Sequence, residues 1–368
     1  MPAVSELSVA GFRSFAHLDR LRLTARNILI GANGSGKSNF VEIFEFAEAI
    51  GKERLEQYVG RVGGADPLLH YGAGTTKRMS FHISFAEPGG TLELELEPTD
   101  DQRLFVTTEV MSDLPWFHPD WDGSQTSGIV APRAGDMGED PQHQYLNSWR
   151  TYDFRAVGQG SALRKNSDLY DCETLQADGS NLASFLYFLG EKHRKSYERI
   201  RGSIRMVAPF FENFDIRPFA LDERILRLRW RHTATGRPFD VSEFSDGTLR
   251  FVALAVLLAQ PAELRPSTII LDEPELGLHP FAINVLASLI QSASVETQVI
   301  VSTQSAQLID SFEPEDVLVA DRVDGATQLT RLKSSELAEW LEDYALGELW
   351  QKNELGGRPA PERRKTPA

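Results

Sequence analysis

A single cysteine, Cys172, stands in the 368-residue sequence. An intrachain disulfide is therefore impossible, and a zinc site built on cysteines is excluded. Hydrophobic residues make up 41% of the chain, yet no run approaches the roughly 18 consecutive apolar residues that a membrane helix needs. Nor does the N-terminus show a basic segment followed by an apolar signal core. These absences lead to the expectation of a cytoplasmic protein with no membrane partner. Positive charge is also in deficit, with 38 Lys and Arg against 53 Asp and Glu and a formal net charge of −15. Phosphate binding draws on clustered Lys and Arg, so such a chain is a poor autonomous binder of nucleic acid. The total leaves room only for local basic patches. Internal repeats are lacking as well.

What is present is a large globular chain with alternating element signals. Residues 4–23 alternate apolar and polar positions around Gly11-Phe12-Arg13-Ser14-Phe15, a strand, turn and strand pattern. The apolar run 27–30 stops at Gly31, after which Phe40, Ile43, Phe44, Ala47 and Ile50 fall at helical spacing up to Gly51. Residues 79–97 read as a hairpin about Pro88-Gly89-Gly90, and 113–148 as a long polar surface loop. A helix is predicted over 181–205, ending in a basic stretch from Lys192 to Arg205. The last third predicts a strand over 225–231, a helix from Thr248, a strand over 268–271, a helix from Phe281 and a strand over 298–302. Alternation of this kind predicts a parallel sheet with helices against it. A final helix runs through Leu337, Trp340 and Leu341, ahead of Gly356-Gly357 and a polar tail expected to be disordered.

Three motifs carry chemistry. Gly31-Ala32-Asn33-Gly34-Ser35-Gly36-Lys37-Ser38 matches GxxxxGK[ST] between a predicted strand and a predicted helix. Glycines at 31, 34 and 36 let backbone N–H groups wrap a polyphosphate, and the helix N-terminus favours negative charge. Asn33, Ser35 and Asn39 lie in the same cradle. Lys37 is expected to reach the β- and γ-phosphates of ATP, and Ser38 to ligate Mg²⁺. One lysine–phosphate contact is worth about 1 kcal/mol in bulk water and about 4 kcal/mol at a partly buried site. Second, the apolar strand Thr268-Ile269-Ile270-Leu271 delivers Asp272 and Glu273 at its C-terminal end, where ligands bind in parallel sheets. Asp272 is expected to hold Mg²⁺ through its water shell and Glu273 to act as general base. Third, Phe244-Ser245-Asp246-Gly247-Thr248 precedes an apolar-faced helix. By itself this reads as a helix cap; Ser245 and Gly247 at a helix N-terminus also suit a γ-phosphate offered from outside.

In this order, the glycine loop, the Ser-Asp-Gly signature and Leu271-Asp272-Glu273-Pro274-Glu275-Leu276-Gly277-Leu278-His279-Pro280 resemble the ABC-type ATPase heads of the RecF, SMC and OLD-nuclease group. The opening Gly-Phe-Arg-Ser-Phe is similar to their first strand, which implies that Arg13 approaches the nucleotide. Over nearly its whole length the chain resembles stand-alone bacterial AAA/ABC-like predicted ATPases, through segments 63–70, 178–183, 207–211, 244–251 and 337–357. The resemblance implies an α/β P-loop head with a mixed or parallel sheet, N-terminal antiparallel β elements and an inserted helical arm. The corresponding division is an N-terminal lobe with the glycine loop (1–112), a loop and helical arm (113–215), a C-terminal lobe with the signature and acidic strand (216–330), and a C-terminal helix and tail (331–368). It also implies a homodimer or higher oligomer, with ATP sandwiched between protomers.

Two departures from that pattern bear on mechanism. Gln304, in Ser302-Thr303-Gln304-Ser305, stands where many such heads carry a switch histidine. A glutamine cannot carry a proton, so slow turnover is expected. The glutamine that usually links the Mg²⁺ site to the arm has four candidates, Gln102, Gln125, Gln142 and Gln144. His279 lacks a second histidine or cysteine at metal-ligand spacing and reads as a structural or interface residue, not a metal ligand. Arg227, Arg229 and Arg231 read as the wet face of a strand, and the basic stretch from Lys192 to Arg205 as a solvated helix face, with nucleic-acid or partner contact the lesser reading of that stretch. Two biological roles follow from the resemblance: regulation of a separate effector, such as a nuclease, in DNA repair or anti-phage defence, or an SMC-like ATPase that clamps DNA directly. The acidic balance and the lack of a long coiled coil favour the first, and a transporter ATPase ranks third.

Overall fold

The computed structural model describes residues 3–86, 89–112, 145–219 and 222–357. Most of the polar loop read from sequence, residues 113–144, and the tail 358–368 lie outside the described residues.

The chain opens with the hairpin β1 (Val4–Phe12) and β2 (Phe15–Arg22), followed by β3 (Arg26–Ile30), α1 (Lys37–Gly51) and α2 (Leu55–Val62). Strands β4 (Met79–Phe85), β5 (Thr91–Pro98) and β6 (Leu104–Ser112) complete a five-stranded antiparallel sheet of order β2-β1-β4-β5-β6. Its inner face is set by period-2 patterning: Met79, Phe81, Ile83 and Phe85 of β4 are buried while their neighbours are half-buried. Then come β7 (Trp149–Tyr152), the two-residue β8 (Ser167–Asp168), and the helices α3 (Leu182–Lys192) and α4 (Arg194–Val207). The single helix expected over 181–205 is thus two, broken at His193, whose φ of −127° and ψ of 55° leave the helical region.

Small strands β9 (Phe211–Phe214), β10 (Arg217–Phe219), β11 (Asp222–Arg227), β12 (Arg229–His232) and β13 (Pro238–Asp240) follow. The one strand expected over 225–231 divides at Leu228, so that β11 pairs with β8 and β10 while β12 pairs with β9 and β13. The Leu228 carbonyl is taken instead by the Val241 N–H at 3.1 Å. The chain continues through α5 (Asp246–Ala259), β14 (Thr268–Asp272), α6 (Pro280–Ala293), β15 (Gln298–Ser302), α7 (Ala306–Ile309), β16 (Val317–Val323), β17 (Ala326–Arg331), α8 (Ser334–Leu341) and α9 (Leu346–Lys352).

The second main sheet has the order β17-β16-β3-β15-β14-β7. Its last five strands are parallel, and β17 is antiparallel at the edge. Residues 28–30, 269–271, 299–301 and 317–320 of its central strands are buried on both faces and form unbroken apolar runs, as parallel sheets favour. Side chains sort by parity. Leu29, Ile270, Ile300 and Leu318 face a core shared with α1 and the antiparallel sheet; Ile28, Ile30, Ile269, Leu271, Val299, Val301, Val317 and Val319 face a core shared with α3 to α7. The two helices α3 and α4, from the region read as an inserted arm, bury Leu182, Phe185, Leu189, Ile200 and Ile204 in that second core. Trp149 bolts α1 to β7: its Nε1 donates to the Phe44 carbonyl at 2.9 Å, and its ring meets that of Phe44 edge-on at 5.7 Å. Loss of so buried a ring is worth about 3–5 kcal/mol. Strand β7 comes from the segment assigned by sequence to the insertion, and it pairs in parallel with β14.

Candidate functional site

The site forms along the C-terminal ends of β3, β15, β14 and β7, where a parallel sheet opens toward ligands. The glycine loop leaves β3 and closes on the N-terminus of α1. Gly36 occupies the N-cap in a left-handed conformation, φ +105°, that a side chain would strain. A Cβ there would lie 2.0 Å from the Thr327 hydroxyl oxygen, so the loop is pressed against β17. Gly34, at φ +81°, has open space around it, and Asn33, Gly34 and Ser38 are exposed.

Lys37 is buried, and its ammonium donates to the carbonyls of Gly31 at 2.7 Å and Ala32 at 3.1 Å. Two of its three donors are thereby used, leaving one for a ligand. Burial pulls its pKa below the ordinary lysine value, opposed by the negative charges of Glu273, Asp272 and Glu275. Asn39 and Arg13 face the other side of the loop: Asn39 Nδ2 donates to Ser14 Oγ at 2.7 Å, and Arg13 pairs with Glu42 of α1 at 2.7 Å. The Ser35 hydroxyl is buried without a partner.

Glu273 follows β14 with φ +48°, an uncommon conformation for a non-glycine residue that is held by its N–H bond to the Ser302 carbonyl at 2.8 Å. The strained backbone turns its carboxylate toward Gln304, whose Nε2 donates to Glu273 Oε1. Glu275 behind them accepts from Thr303 Oγ1 at 2.6 Å and from the Gln304 N–H at 3.1 Å. Burial raises the Glu275 pKa above the ordinary carboxylate range, opposed by the Thr303 hydrogen bond. Lys37, Asp272, Glu273 and Gln304 thus converge, and Thr303 and Glu275 hold the group from behind.

Asp272 also meets the test for a metal carboxylate. Its Oδ1 is buried with no hydrogen-bond partner, a condition that a cation or its water would relieve. Among the described residues no group of three or more His, Cys, Asp or Glu is placed to hold a metal by itself. Asp272 by itself therefore suits only an ion that brings further oxygen ligands with it, and Ser38, at the start of α1, is exposed.

The signature lies at the start of α5. Ser245 is exposed, and its Oγ stays within its own turn, accepting from the Thr248 N–H at 3.2 Å. Gly247 packs on the loop after β14, since a Cβ at that position would lie 2.4 Å from the Gly277 carbonyl oxygen. Leu276, the neighbour of Gly277, and Phe281, in the first turn of α6, are 43% and 49% exposed. His279 caps α6, its Nδ1 accepting from the Phe281 N–H at 3.2 Å.

Sequence reasoning missed three contributors. The C-terminal Gly356-Gly357 pair returns to the glycine loop, where the Gly357 carbonyl accepts from the Ala32 N–H at 2.7 Å and its own N–H donates to Asp321 Oδ1 at 2.6 Å. Thr327 of β17 donates to the Ser35 carbonyl at 2.8 Å. After β7, beside the acidic strand, the chain places Asp153 and Arg155, and Arg155 reaches Asp272 Oδ2 at 2.9 Å. Of the four glutamine candidates, Gln102 Oε1 accepts from the Asp66 N–H at 3.1 Å beyond α2, and the other three lie outside the described residues. Of the three contributors only the two glycines stood out in the sequence, ahead of the polar tail; contacts spanning more than a hundred residues leave no local signal.

A glycine loop opposite an acidic strand end, with a signature serine on a separate helix, defines the ABC-type class of P-loop ATPase heads. Residues 26–310 match the family model described as "AAA domain, putative AbiEii toxin, Type IV TA system", and the chain belongs to that family. A curated relative is the Old nuclease of Escherichia phage P2, 30% identical over an alignment of 151 residues that covers 36% of this chain. The chain spans about a quarter of that relative's length, 26%. Among solved structures, an Smc head bound to the C-winged helix domain of ScpA superposes with a TM-score of 0.62 at 15% identity, covering 92% of this chain and 100% of that one. The Smc head with an extended coiled coil from Pyrococcus furiosus gives 0.61 at 14% identity, covering 93% and 99%. The fold is therefore that of an SMC-type ABC ATPase head. Family and fold imply nucleotide binding. Among the described residues no helix is long and apolar enough to cross a membrane.

Proposed function

We propose that the chain binds and hydrolyses ATP as a two-fold ATP-sandwich dimer, and that closing and opening of the dimer controls a separate effector, such as a nuclease, in DNA repair or defence against invading DNA. The observation that carries the dimer is the state of the signature. Ser245 sits exposed at a helix N-terminus, its hydroxyl bonded within its own turn, and Gly247 of the same turn packs on Gly277, in the loop that carries the exposed Leu276. An anion-suited helix end with an apolar lip fits a phosphate presented by a second copy. In a two-fold dimer each glycine loop meets the opposite signature.

Within one site, the loop amides and Lys37 take the phosphates. Ser38 and Asp272 would hold Mg²⁺, whose charge offsets that of the phosphates when it is bound. Glu273 accepts the proton of the attacking water, and Gln304 keeps its carboxylate in place. Gln304 cannot itself relay a proton, which suits slow, switch-like turnover. Differential affinity of the open and closed dimers for nucleotide then provides the coupling. The effector reading draws on the name of the phage relative and is favoured over direct DNA clamping by the state of the arginines. Arg227 pairs with Asp240, and Arg229 and Arg231 share Asp215 with Arg217, so acids within the fold already offset part of this basic charge.

Complementation tests the shared site. Lys37→Ala and Ser245→Arg should each be nearly inactive, one losing the loop cation and the other placing a cation where the partner's γ-phosphate belongs. Mixed, half the dimers carry both lesions in one site and leave the other intact, so activity should recover to roughly a quarter of wild type. Full activity and ATP-dependent dimerisation of Ser245→Arg alone would reduce Ser245 to a helix cap.

A further inference from the structure

We propose that Arg155 is a built-in counter-cation of the metal-site carboxylate, which competes with a divalent ion for Asp272 and so sets the Mg²⁺ concentration at which nucleotide binds. The inference rests on the nucleotide-site reading above and adds to it a residue outside the three motifs. Asp272 uses Oδ2 to accept from Arg155 Nη1 at 2.9 Å, while Lys37 is committed to the carbonyls of its own loop. Asp272, whose side chain is only 9% exposed, thus shares the guanidinium of Arg155 with Asp153. A divalent ion or its bound water draws on that same carboxylate charge, so the two cations oppose each other at Asp272.

The geometry also lets Arg155 yield. Its Nε and Nη2 are gripped by Asp153 Oδ1 and Oδ2 at 3.0 and 3.1 Å, a bidentate pair. Its side chain is 47% exposed. Leaving Asp272 therefore carries the guanidinium toward water with a carboxylate still attached, instead of stranding a buried charge. The backbone that carries it is held more firmly. Arg250, buried on the signature helix α5, donates to the Phe154 carbonyl at 3.1 Å and to the Arg155 carbonyl at 2.8 Å. A second arginine, Arg164, ties the same stretch to the signature, donating to the Val157 and Val241 carbonyls and pairing with Asp246 at 2.7 Å. Arg155 is therefore indexed to the helix that would meet the partner's nucleotide, and movement of that helix would move the cation on Asp272.

The test is a Mg²⁺ titration of binding of a fluorescent, non-hydrolysable ATP analogue to the full chain, which reads affinity and not turnover. Arg155→Gln removes the competitor, and the Mg²⁺ midpoint should fall about tenfold, the effect of one partly exposed charge-assisted hydrogen bond. Asp153→Asn removes the second anchor and leaves Asp272 as the remaining carboxylate partner of Arg155, so the midpoint should rise severalfold. A residue that only braces the loop would shift both variants the same way. An unchanged or raised midpoint in Arg155→Gln, or a common direction for the pair, overturns the proposal. Should circular dichroism show Arg155→Gln unfolded, Asp153→Asn decides alone, a midpoint at or below wild type being the contrary result. Wild-type protein that binds no nucleotide at any Mg²⁺ concentration would instead sink the nucleotide-site reading, and this inference with it.

Discussion

Replacing Glu273 by glutamine isolates the charge of the general base from its shape. The strained backbone at φ +48° is held by a main-chain bond to Ser302, which the substitution leaves alone. The Gln304 amide keeps an oxygen to donate to, so the ground state loses only the charge assistance of one partly exposed hydrogen bond, about 1 kcal/mol or less. Affinity for ATP should therefore stay within roughly fivefold of wild type. Turnover should fall by ~10² to 10⁴, equivalent to about 2.7–5.5 kcal/mol in the barrier, the share of a general base. Gln304→Ala, which removes only the holder of the base, should lose about tenfold. In the Glu273→Gln background the same alanine should lose almost nothing more, because the two residues act through one carboxylate. Steady-state phosphate release for the four proteins of this cycle, with equilibrium nucleotide binding beside it, supplies the measurement. Glu273→Gln turnover within tenfold of wild type, or an equal loss from Gln304→Ala in both backgrounds, would refute the assignment of base and holder.

At about 150 mM salt the isolated protein should bind duplex DNA no more tightly than the non-specific range of ~10⁻⁴ to 10⁻⁶ M, given its net charge of −15. Nanomolar binding in a fluorescence titration, abolished by charge reversal at Arg194, Lys195 and Arg199, would promote the clamp reading. Gly357→Val should weaken ATP binding by up to about tenfold while shifting the melting temperature little, because a β-branched residue is strained by about 1–2 kcal/mol at the φ of +81° found there and the Ala32 amide would lose its partner. Calorimetry with ATP checks this, and Asp321→Ala should move affinity the same way by freeing the Gly357 N–H. Unchanged affinity in both would show that the C-terminal strap does not support the loop.

The sequence alone determined what local constraint writes into local pattern. Glycines at 31, 34 and 36 are needed where the chain must turn tightly around a phosphate, and that need, with Lys37 and Ser38 and a strand and helix on either side, marks the loop without a structure. Asp272 and Glu273 were legible because a buried parallel strand reads as an unbroken apolar run whose end is abrupt. Tertiary structure decided whatever depends on chain segments meeting from far apart. The break at Leu228 follows from competition by Val241 for its carbonyl, and the break at His193 from the packing of two short helices where periodicity suggested one. The return of Gly357 to Ala32, the approach of Arg155 to Asp272, and the grip of Thr303 on Glu275 join residues that no spacing rule relates. A hydrogen bond across such separations is set by the packing of whole layers, and that packing is a property of the fold, not of any one segment.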